Sequence, residues 1–342
     1  GQFIAAGLMG LLNVPDDVYP LALAYLRIYL LGMPVILLYN FEAAIFRSVG
    51  DTKVPLIALT VSGVLNVILN LFFVIVLKMN VNGVAIATVL SNAVSSVLLL
   101  RRLLHGDLVR VELKQLRIDP AVFRKIMRIG LPAGIQGAIF SVSNIIIQSA
   151  INSLGTIVMA ASSAAFNIEI IAYDVLNSFS QACTTFVGQN YGAGKPDRVK
   201  KSYFISLAYS FGVGLALGGG LFLFGRQFLA LFTTESAVID AGMKRVGVMA
   251  LAYCTSAFMD CTIAASRGLG KTVVPTVIVI MGSCVFRVIW VYTIFAHFHT
   301  IPSLYLLYPC SWALTAIAEI IYFIHCYRDS MKLFHEPVTV QA

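Results

Sequence analysis

The chain has 342 residues, of which 59% are hydrophobic and 12% are charged, and its mean hydropathy is +0.87. A soluble domain carries roughly 25% charged residues, so this composition excludes an ordinary water-soluble protein and indicates the lipid bilayer as solvent. The net charge of +8 does not indicate nucleic-acid binding, because basic residues in membrane proteins usually mark the cytoplasmic side.

Nine runs of the chain are long and apolar enough to cross a bilayer, since a spanning helix needs about 20 mostly apolar residues. An apolar stub at 1–12 precedes them. The sequence therefore predicts an all-α polytopic membrane protein with nine spans plus a stub. In chain order the runs are 21–46, 54–78, 82–104, 122–152, 157–187, 200–224, 240–266, 273–298 and 303–327.

Lysine and arginine are distributed unevenly over the links between these runs. Helices joined by short links alternate in direction, so the links form two sets, one on each side of the membrane. The positive-inside rule places the basic set in the cytoplasm, which predicts a multi-pass protein of the cell (inner) membrane with a cytoplasmic C-terminus. The basic set consists of 47–53, 101–128, 195–201, 267–271 and the tail from Arg328.

One polar phrase occurs twice, as "FRSVGDTKVP" at 46–55 and "SRGLGKTVVP" at 266–275. It predicts a helix end, a glycine turn, a threonine cap and a proline in the first turn of the next helix. Six complete spans separate the copies, so both face the cytoplasm and the halves are parallel repeats about the membrane normal. The residues that recur in register are Arg47, Gly50, Thr52, Val54 and Pro55, repeated as Arg267, Gly270, Thr272, Val274 and Pro275.

This repeat predicts two six-helix lobes related by a pseudo-twofold axis. We expect an incomplete N-lobe at 1–100, a basic cytoplasmic connector at 101–121, a C-lobe at 122–328 and a cytoplasmic tail at 329–342. The first lobe holds only three complete spans and the stub. The expectation is therefore a chain that lacks roughly a hundred N-terminal residues, with twelve helices in the intact protein.

Carboxylates inside predicted spans are costly and mark candidate functional sites. Asp260 and Glu42 lie deepest, on the helices that precede the two repeated phrases. Glu319 lies about two turns from a cytoplasmic helix end, which favours a structural pair or a group reaching the interface. The remaining two intramembrane carboxylates are Glu169 and Asp174.

Amide side chains form stripes on the two helices predicted at 122–152 and 157–187. Such stripes either join helices, at about 0.6 kcal/mol per contact, or line a wet cavity, and the two neighbouring carboxylates favour the cavity. Asn66 and Asn70 lie one turn apart on 54–78 and face either a cavity or a neighbouring helix. The stripe residues expected to line the cavity are Gln136, Asn144 and Asn177.

Catalytic and metal-binding patterns are weak in this chain. "GAGKP" at 192–196 fails as a phosphate-binding loop, because Gln189 replaces the first glycine and Pro196 replaces the Ser or Thr. A membrane-embedded enzyme would need a His/Asp/Glu metal cluster or a nucleophile–base pair, and neither can be argued. We therefore expect a protein that is not an enzyme, with no catalytic residues, resident metal or cofactor.

The duplicated "RxxGxTxVP", "VGQNYGAGKPDRVKK" at 187–201 and "GLPAGIQGAIFSVSNIIIQSAINSLG" at 130–155 together resemble the multidrug and toxic compound extrusion (MATE) transporters, most closely the bacterial members. The resemblance covers essentially the whole chain. It implies two six-helix lobes around a central cavity, and export of cationic or amphipathic compounds in exchange for Na⁺ or H⁺.

The resemblance also implies residue roles. Many members carry an "N-x-x-x-D" pattern on the helix that corresponds to 54–78. Asn66 matches, whereas Asn70 replaces the Asp, and an amide cannot be deprotonated, which argues against proton coupling at position 70. Asparagine oxygens still suit Na⁺, a hard cation. A Glu found in some members is missing here, since the nearest position is Phe140. Various members carry an acidic residue on the helix that corresponds to 240–266, which Asp260 or its surroundings would supply.

The resulting hypothesis is a monomeric antiporter with alternating access, whose partners are small cationic substrates and membrane lipids, not nucleic acid. Asp260, Glu169 and Asp174 form its C-lobe acidic set, and Asn66 and Asn70 form a weakened N-lobe site. Glu42 is expected among the residues of the substrate and cation cavity. The alternative is a flippase of lipid-linked oligosaccharides from the same superfamily. That function requires a cationic cavity, whereas the predicted intramembrane charges are mostly acidic, with Arg27 and Arg287 as the notable basic exceptions. A purely structural role is the third alternative.

Overall fold

The computed structural model describes residues 2–11, 18–106 and 109–332, and within these ranges it contains helices but no strands. Most of the predicted link at 13–20, part of the connector and the tail beyond Lys332 lie outside the described residues. The helices are α1 Ala5–Leu11, α2 Tyr19–Ser48, α3 Lys53–Val76, α4 Asn80–His105, α5 Pro120–Ser153, α6 Thr156–Gly192, α7 Pro196–Ala230, α8 Ser236–Gly268, α9 Val273–Phe298 and α10 Ile301–Lys332.

Nearly every described helix is long and apolar enough to cross a membrane. In this part of the chain eight helices qualify singly, and α8 makes a ninth span when its two segments, bent by 45°, are counted as one. These helices coincide with the nine apolar runs, so the predicted all-α polytopic membrane fold is confirmed. The agreement follows from the bilayer, whose thickness sets the length of every apolar run.

The chain divides into two compact units between Arg117 and Ile118, within the segment predicted as a connector. In unit 1, α2 and α3 both pack on α4. Gly32 allows α2 to approach α4 closely, because a Cβ there would lie 2.2 Å from Val89 Cγ2. The buried apolar contacts of this unit come from all three helices: Tyr39, Ala43, Phe46, Ala58, Leu99 and Leu103.

In unit 2, α8 is the central helix, and α6, α7 and α10 pack around it. The contact between α7 and α8 depends on Gly218. A Cβ at this position would lie 1.9 Å from the carbonyl oxygen of Ala250, so no larger residue fits without moving the backbone. This central helix carries Arg245 and Asp260, whose surroundings are described below.

The two copies of the repeated phrase form the same helix ending. Gly50 and Gly270 have φ angles of 88° and 76°, the left-handed conformation that glycine adopts without strain. Asp51 N–H donates to the Phe46 carbonyl at 3.0 Å, and Lys271 N–H donates to the Ser266 carbonyl at 3.0 Å. Together with the glycine N–H bonds, these contacts make a Schellman motif at the end of each helix. We call the two links, residues 46–55 and 266–275, the first and the second corner.

The predicted threonine caps need correction. Thr52 and Thr272 occupy the N-cap positions, but neither side chain caps its helix, because both have helical rather than extended backbone angles. In the first copy Asp51 Oδ1 accepts the N–H groups of Lys53 and Val54 at 3.1 and 3.2 Å. In the second copy Thr272 is buried, and its hydroxyl donates to another helix.

The other predicted corner residues have distinct surroundings. Arg47 donates from Nε to the Ala43 carbonyl one turn earlier, at 3.1 Å. Pro55 and Pro275 are both buried in the first turn of the following helix. Arg267 instead reaches across to α5, as described below. The two corners therefore have the same backbone conformation but make different side-chain contacts.

Candidate functional site

Glu42 is buried between α2 and α4 of unit 1, with 2% of its surface exposed. Its Oε2 accepts a hydrogen bond from Ser96 Oγ at 2.8 Å, and its Oε1 has no partner among the described residues. A buried carboxylate with one bonded oxygen is incompletely compensated. This residue can therefore hold a proton or attract a small cation.

Asn66 and Asn70 form a hydrogen-bonded pair on α3. Asn70 Nδ2 donates to Asn66 Oδ1 at 3.0 Å, and Asn66 Nδ2 donates to Ser91 Oγ on α4 at 3.2 Å. Asn70 Oδ1 is buried and has no partner within the described ranges. The pair thus contacts a neighbouring helix and leaves one amide oxygen available, while Glu42 reaches α4 at a different residue.

In unit 2, Glu169 on α6 forms a buried ion pair with Arg245 on α8. Arg245 Nε donates to Oε1 at 3.1 Å and Nη2 donates to Oε2 at 2.5 Å, so both carboxylate oxygens are bonded. Arg245 also donates to the Ser162 carbonyl and lies over the Tyr305 ring, 4.7 Å from its centroid. Glu169 is therefore neutralised, in contrast to the free cavity acid expected from the sequence.

Sequence reasoning missed Arg245 as an intramembrane charge, although it lies inside the apolar run at 240–266. Its position near the start of that run resembles an interfacial basic residue. The signal that could have found it is Glu169 itself, because a carboxylate deep in a span needs a partner.

Asp260 lies half-buried on α8, nearer than Arg245 to the C-terminal end of the helix, where the second copy of the repeated phrase begins. Its carboxylate makes no hydrogen bond or direct ion pair within the described part of the chain. The guanidinium groups of Arg267 and Arg287 lie close enough for Coulombic attraction. Asp260 is therefore a carboxylate held between two positive charges that it does not directly bind.

Arg287 lies on α9 between two π-helical turns, Ile280–Val285 and Val291–Phe295. Its side chain is 3% exposed, and Nε donates to Ser311 Oγ at 3.0 Å. Its guanidinium lies among three aromatic rings, which stabilises a buried cation through the ring quadrupoles. The centroids lie at 4.6 Å for Tyr308, 5.7 Å for Phe140 and 6.0 Å for Trp312.

Gln136 is half-buried on α5, and its Oε1 accepts a hydrogen bond from Arg267 Nη2 at 2.8 Å. The other predicted cavity residues, Asn144, Asp174 and Asn177, are exposed. No bond to another helix involves these three side chains within the described residues. These three side chains therefore do not join helices there, and their place in a cavity stays a prediction.

Acidic and basic side chains balance in the interior of unit 2. Among its described charged residues, the six that are not exposed are Glu169, Asp260, Glu319, Arg245, Arg267 and Arg287. The sequence suggested intramembrane charges that are mostly acidic. The structure corrects this for unit 2, where each carboxylate has a guanidinium in contact or within Coulombic range.

No three His, Cys, Asp or Glu side chains in the described residues converge as a metal site would require. Oxygen donors that suit an alkali cation are present singly, at Glu42, Asn70 and Asp260. The geometry thus offers individual carboxylate and amide oxygens and not a preformed cage.

The family model MatE matches residues 3–72 and 132–293. Among curated relatives, "Probable multidrug resistance protein YpnP" of Bacillus subtilis is 26% identical over 254 residues, covering 74% of this chain and 57% of the relative. The "FAD transporter" of Shewanella oneidensis is 25% identical over 261 residues, with coverages of 74% and 57%. The chain therefore spans less than two thirds of the length of these relatives.

Solved structures show the same fold. A MATE crystal structure in the bent conformation superposes with a TM-score of 0.89 at 21% identity, covering 98% of this chain and 75% of the other. A MOP superfamily transporter from Pyrococcus furiosus, described with "reverse polarity of binding pocket", gives a TM-score of 0.88 at 21% identity, with the same coverages. From the family match, the helical fold and its spans, the chain is a polytopic membrane protein of the MatE family.

Proposed function

We propose that the full-length protein is a secondary antiporter that exports cationic or amphipathic compounds by alternating access, in exchange for Na⁺ or H⁺. Relatives named as multidrug resistance and export proteins support efflux as the activity class. The observation that carries the proposal is Asp260, a half-buried carboxylate on the central helix of unit 2 without a bonded partner in the described chain. Such a carboxylate can bind a cationic substrate and a coupling ion in turn.

The mechanism requires Asp260 to bind substrate and coupling ion alternately. A cationic substrate would compete with Arg267 and Arg287 for the carboxylate, and a proton or Na⁺ bound there would weaken that attraction. Transport then needs the two access states to differ in affinity, commonly by about 1–3 kcal/mol. Asp174 and the exposed amides would supply polar surface along the substrate path.

Unit 1 would contribute a weaker cation site. Glu42 and Asn70 each leave one oxygen without a partner among the described residues, and oxygen atoms are the ligands preferred by hard cations. An amide at position 70 cannot release a proton. We therefore favour Na⁺ over H⁺ for any coupling through the asparagine pair.

The topology is part of the proposal. The basic links would lie in the cytoplasm and the chain would reside in the inner membrane as a monomer, with the C-terminus inside. A two-lobed arrangement, with lobes at 1–100 and 122–328 and a basic connector between them, would supply the two halves that alternating access needs.

A second candidate is transport of an anionic substrate, including the pyrophosphate headgroup of a lipid-linked oligosaccharide. Three arginines that are buried or half-buried in unit 2, Arg245, Arg267 and Arg287, favour this alternative. Arginine binds phosphate oxygens through paired hydrogen bonds. One similar curated protein is named an FAD transporter, and FAD carries a pyrophosphate.

The test uses proteoliposomes containing the full-length protein. Efflux of a cationic dye is measured under a Na⁺ gradient and a proton gradient imposed separately, with an anionic flavin nucleotide as the competing substrate. Asp260→Asn should abolish ion-driven dye efflux. Asp240→Asn is the matched control, because Asp240 lies on the same helix in an exposed pair with Arg226. Intact ion-driven efflux in the Asp260 variant would refute the proposal, and flavin transport without dye transport would favour the second candidate.

A further inference from the structure

Glu319 on α10 is the most deeply buried carboxylate in the described part of the protein. Its exposed fraction is 0%, and neither Oε1 nor Oε2 has a hydrogen-bond partner within the described residues. An ionised carboxylate in this position would lack the bonds that normally compensate burial. The surroundings therefore suit the protonated side chain, or require a positive group to move toward the ionised one.

Arg267 of α8 is the cation within Coulombic range of Glu319. Its Nη2 is engaged by Gln136 on α5, whereas its Nε is buried and has no partner in the described ranges. A guanidinium presents five donors on a flexible stem. Arg267 thus has an amide acceptor on one side, a carboxylate on the other, and a donor available for the second.

The bond to Gln136 is one of two side-chain hydrogen bonds that, in the described residues, join the second copy of the repeated phrase to α5. Pro132 has no N–H, so the Arg128 carbonyl one turn earlier loses its usual helical donor. Thr272 Oγ1 donates to that carbonyl at 3.1 Å. The Thr272 hydroxyl and the Arg128 carbonyl do not ionise, so their hydrogen bond does not respond to pH. Gln136, in contrast, competes with the Glu319 carboxylate for the Arg267 guanidinium.

The other ionisable groups near Glu319 are few. Asp260 on α8 also attracts Arg267, and Tyr322 lies one turn along α10. The facing part of α9 contributes Cys284, which interacts with Arg287. Lys271 in the corner lies toward the end of α10, where it interacts with Cys326 and Asp329. Arg267 is therefore the one cation in this set positioned between α5 and Glu319.

We propose that Glu319 is a proton-binding site whose occupancy decides whether Arg267 holds α5 through Gln136. The proton comes from the aqueous phase, binds one Oε, and returns to water on release. With Glu319 protonated, Arg267 donates to Gln136, as in this structure. With Glu319 ionised, the Arg267 guanidinium turns toward the carboxylate and its hydrogen bond to Gln136 breaks. The hydrogen bond from Thr272 to the Arg128 carbonyl remains.

The role of this site in coupling rests on the proposed function, because Arg267 also faces Asp260. A buried group that binds a proton and shifts a shared arginine would alter the attraction that Asp260 offers to substrate. The structural change itself does not depend on transport, so it can be measured without any substrate.

The experiment uses the full-length protein in lipid nanodiscs, with the native cysteines replaced. Spin labels are attached after Ile126→Cys on α5 and Ile324→Cys on α10, both at exposed positions. The distance between the labels is followed through a pH titration, and the infrared band of protonated carboxyl groups is recorded in parallel. The wild-type distance distribution should shift with pH, and Glu319→Gln should hold it at the low-pH distribution and remove one carboxyl band.

Asp329→Asn is the control, because Asp329 is an exposed carboxylate on the same helix; this variant should keep the wild-type pH response. Gln136→Leu should give the high-pH distribution at every pH. The proposal is overturned if Glu319→Gln retains the pH-dependent shift or leaves every carboxyl band in place. Loss of dye efflux in Asp260→Asn together with an unaltered pH response in Glu319→Gln would sink this inference and leave the proposed antiporter standing.

Discussion

Arg245 binds both carboxylate oxygens of Glu169, at 3.1 and 2.5 Å, and so connects α8 to α6 inside unit 2. The two side chains are 8% and 5% exposed, which places the pair in a medium where a lone charge is expensive. The same arginine rests on the Tyr305 ring. Glu169 therefore has a bonded cation, whereas Asp260 has no directly bonded partner within the described residues.

Breaking the pair should destabilise the protein strongly. Glu169→Gln and Arg245→Met should each lower the free energy of unfolding by about 3–5 kcal/mol, since each leaves one buried group uncompensated. The double variant Glu169→Leu/Arg245→Met should recover most of that loss. Equilibrium unfolding in bilayer-mimicking micelles measures these values.

The exposed pair Arg226–Asp240 provides the matched comparison, with side chains 60% and 58% exposed. Arg226→Met should cost about 0–1 kcal/mol, as exposed ion pairs do. Equal costs for the two arginine variants would contradict the role assigned to burial.

The hydroxyl of Thr272 should stabilise the proline-containing turn of α5. Thr272→Val removes the hydroxyl that donates to the Arg128 carbonyl, which should cost about 0.5–1.5 kcal/mol, the usual net value of one hydrogen bond. In a Pro132→Ala background a backbone N–H can serve that carbonyl, so the same substitution should cost less. A double-mutant cycle measures the coupling, and additive costs would show that the two residues act independently.

The sequence predicted the spans, the all-α class and the glycine turns well, because each depends on local physics. Bilayer thickness sets the length of an apolar run, and a left-handed turn selects glycine at Gly50 and Gly270. It failed where partners come from distant positions. Glu169 and Arg245 are 76 residues apart and Thr272 and Arg128 are 144 apart, so neither contact has a local signature.

The sequence indicated which carboxylates lie within the spans, but not which of them are paired with arginines. A carboxylate within an apolar run stands out, which identified Asp260 and Glu42. Whether such a group is free or paired depends on which helix faces it. Glu319 shows the converse error, since its place near a helix end favoured a structural pair or an interfacial group, whereas the structure buries it completely without a bonded partner.

Close packing of α7 on α8 should make Gly218 intolerant of even one methyl group. Its Cβ would overlap the Ala250 carbonyl oxygen, so Gly218→Ala should destabilise unit 2 by about 1–3 kcal/mol. Gly219→Ala is the control on the adjacent residue, where nothing lies within 4 Å of the added Cβ. That variant should be neutral or stabilise by up to about 1 kcal/mol through helix propensity. Thermal unfolding of both variants measures the two effects. A Gly219→Ala variant less stable than Gly218→Ala would contradict the close approach of α7 to α8 at Gly218.

Removing the positive charge of Arg287 should strengthen the attraction of Asp260 for cations. Arg287→Met keeps an apolar side chain among Phe140, Tyr308 and Trp312 but removes one of the two guanidinium groups near the carboxylate. The affinity of the full-length protein for a monovalent lipophilic cation should rise about tenfold, equivalent to ~1.4 kcal/mol. Arg287→Lys keeps the charge and loses the planar stacking, so its affinity should stay near wild type while its stability falls. Equilibrium binding of tetraphenylphosphonium measures the effect, and a weaker rather than stronger affinity in Arg287→Met would show that Arg287 does not compete with substrate for Asp260.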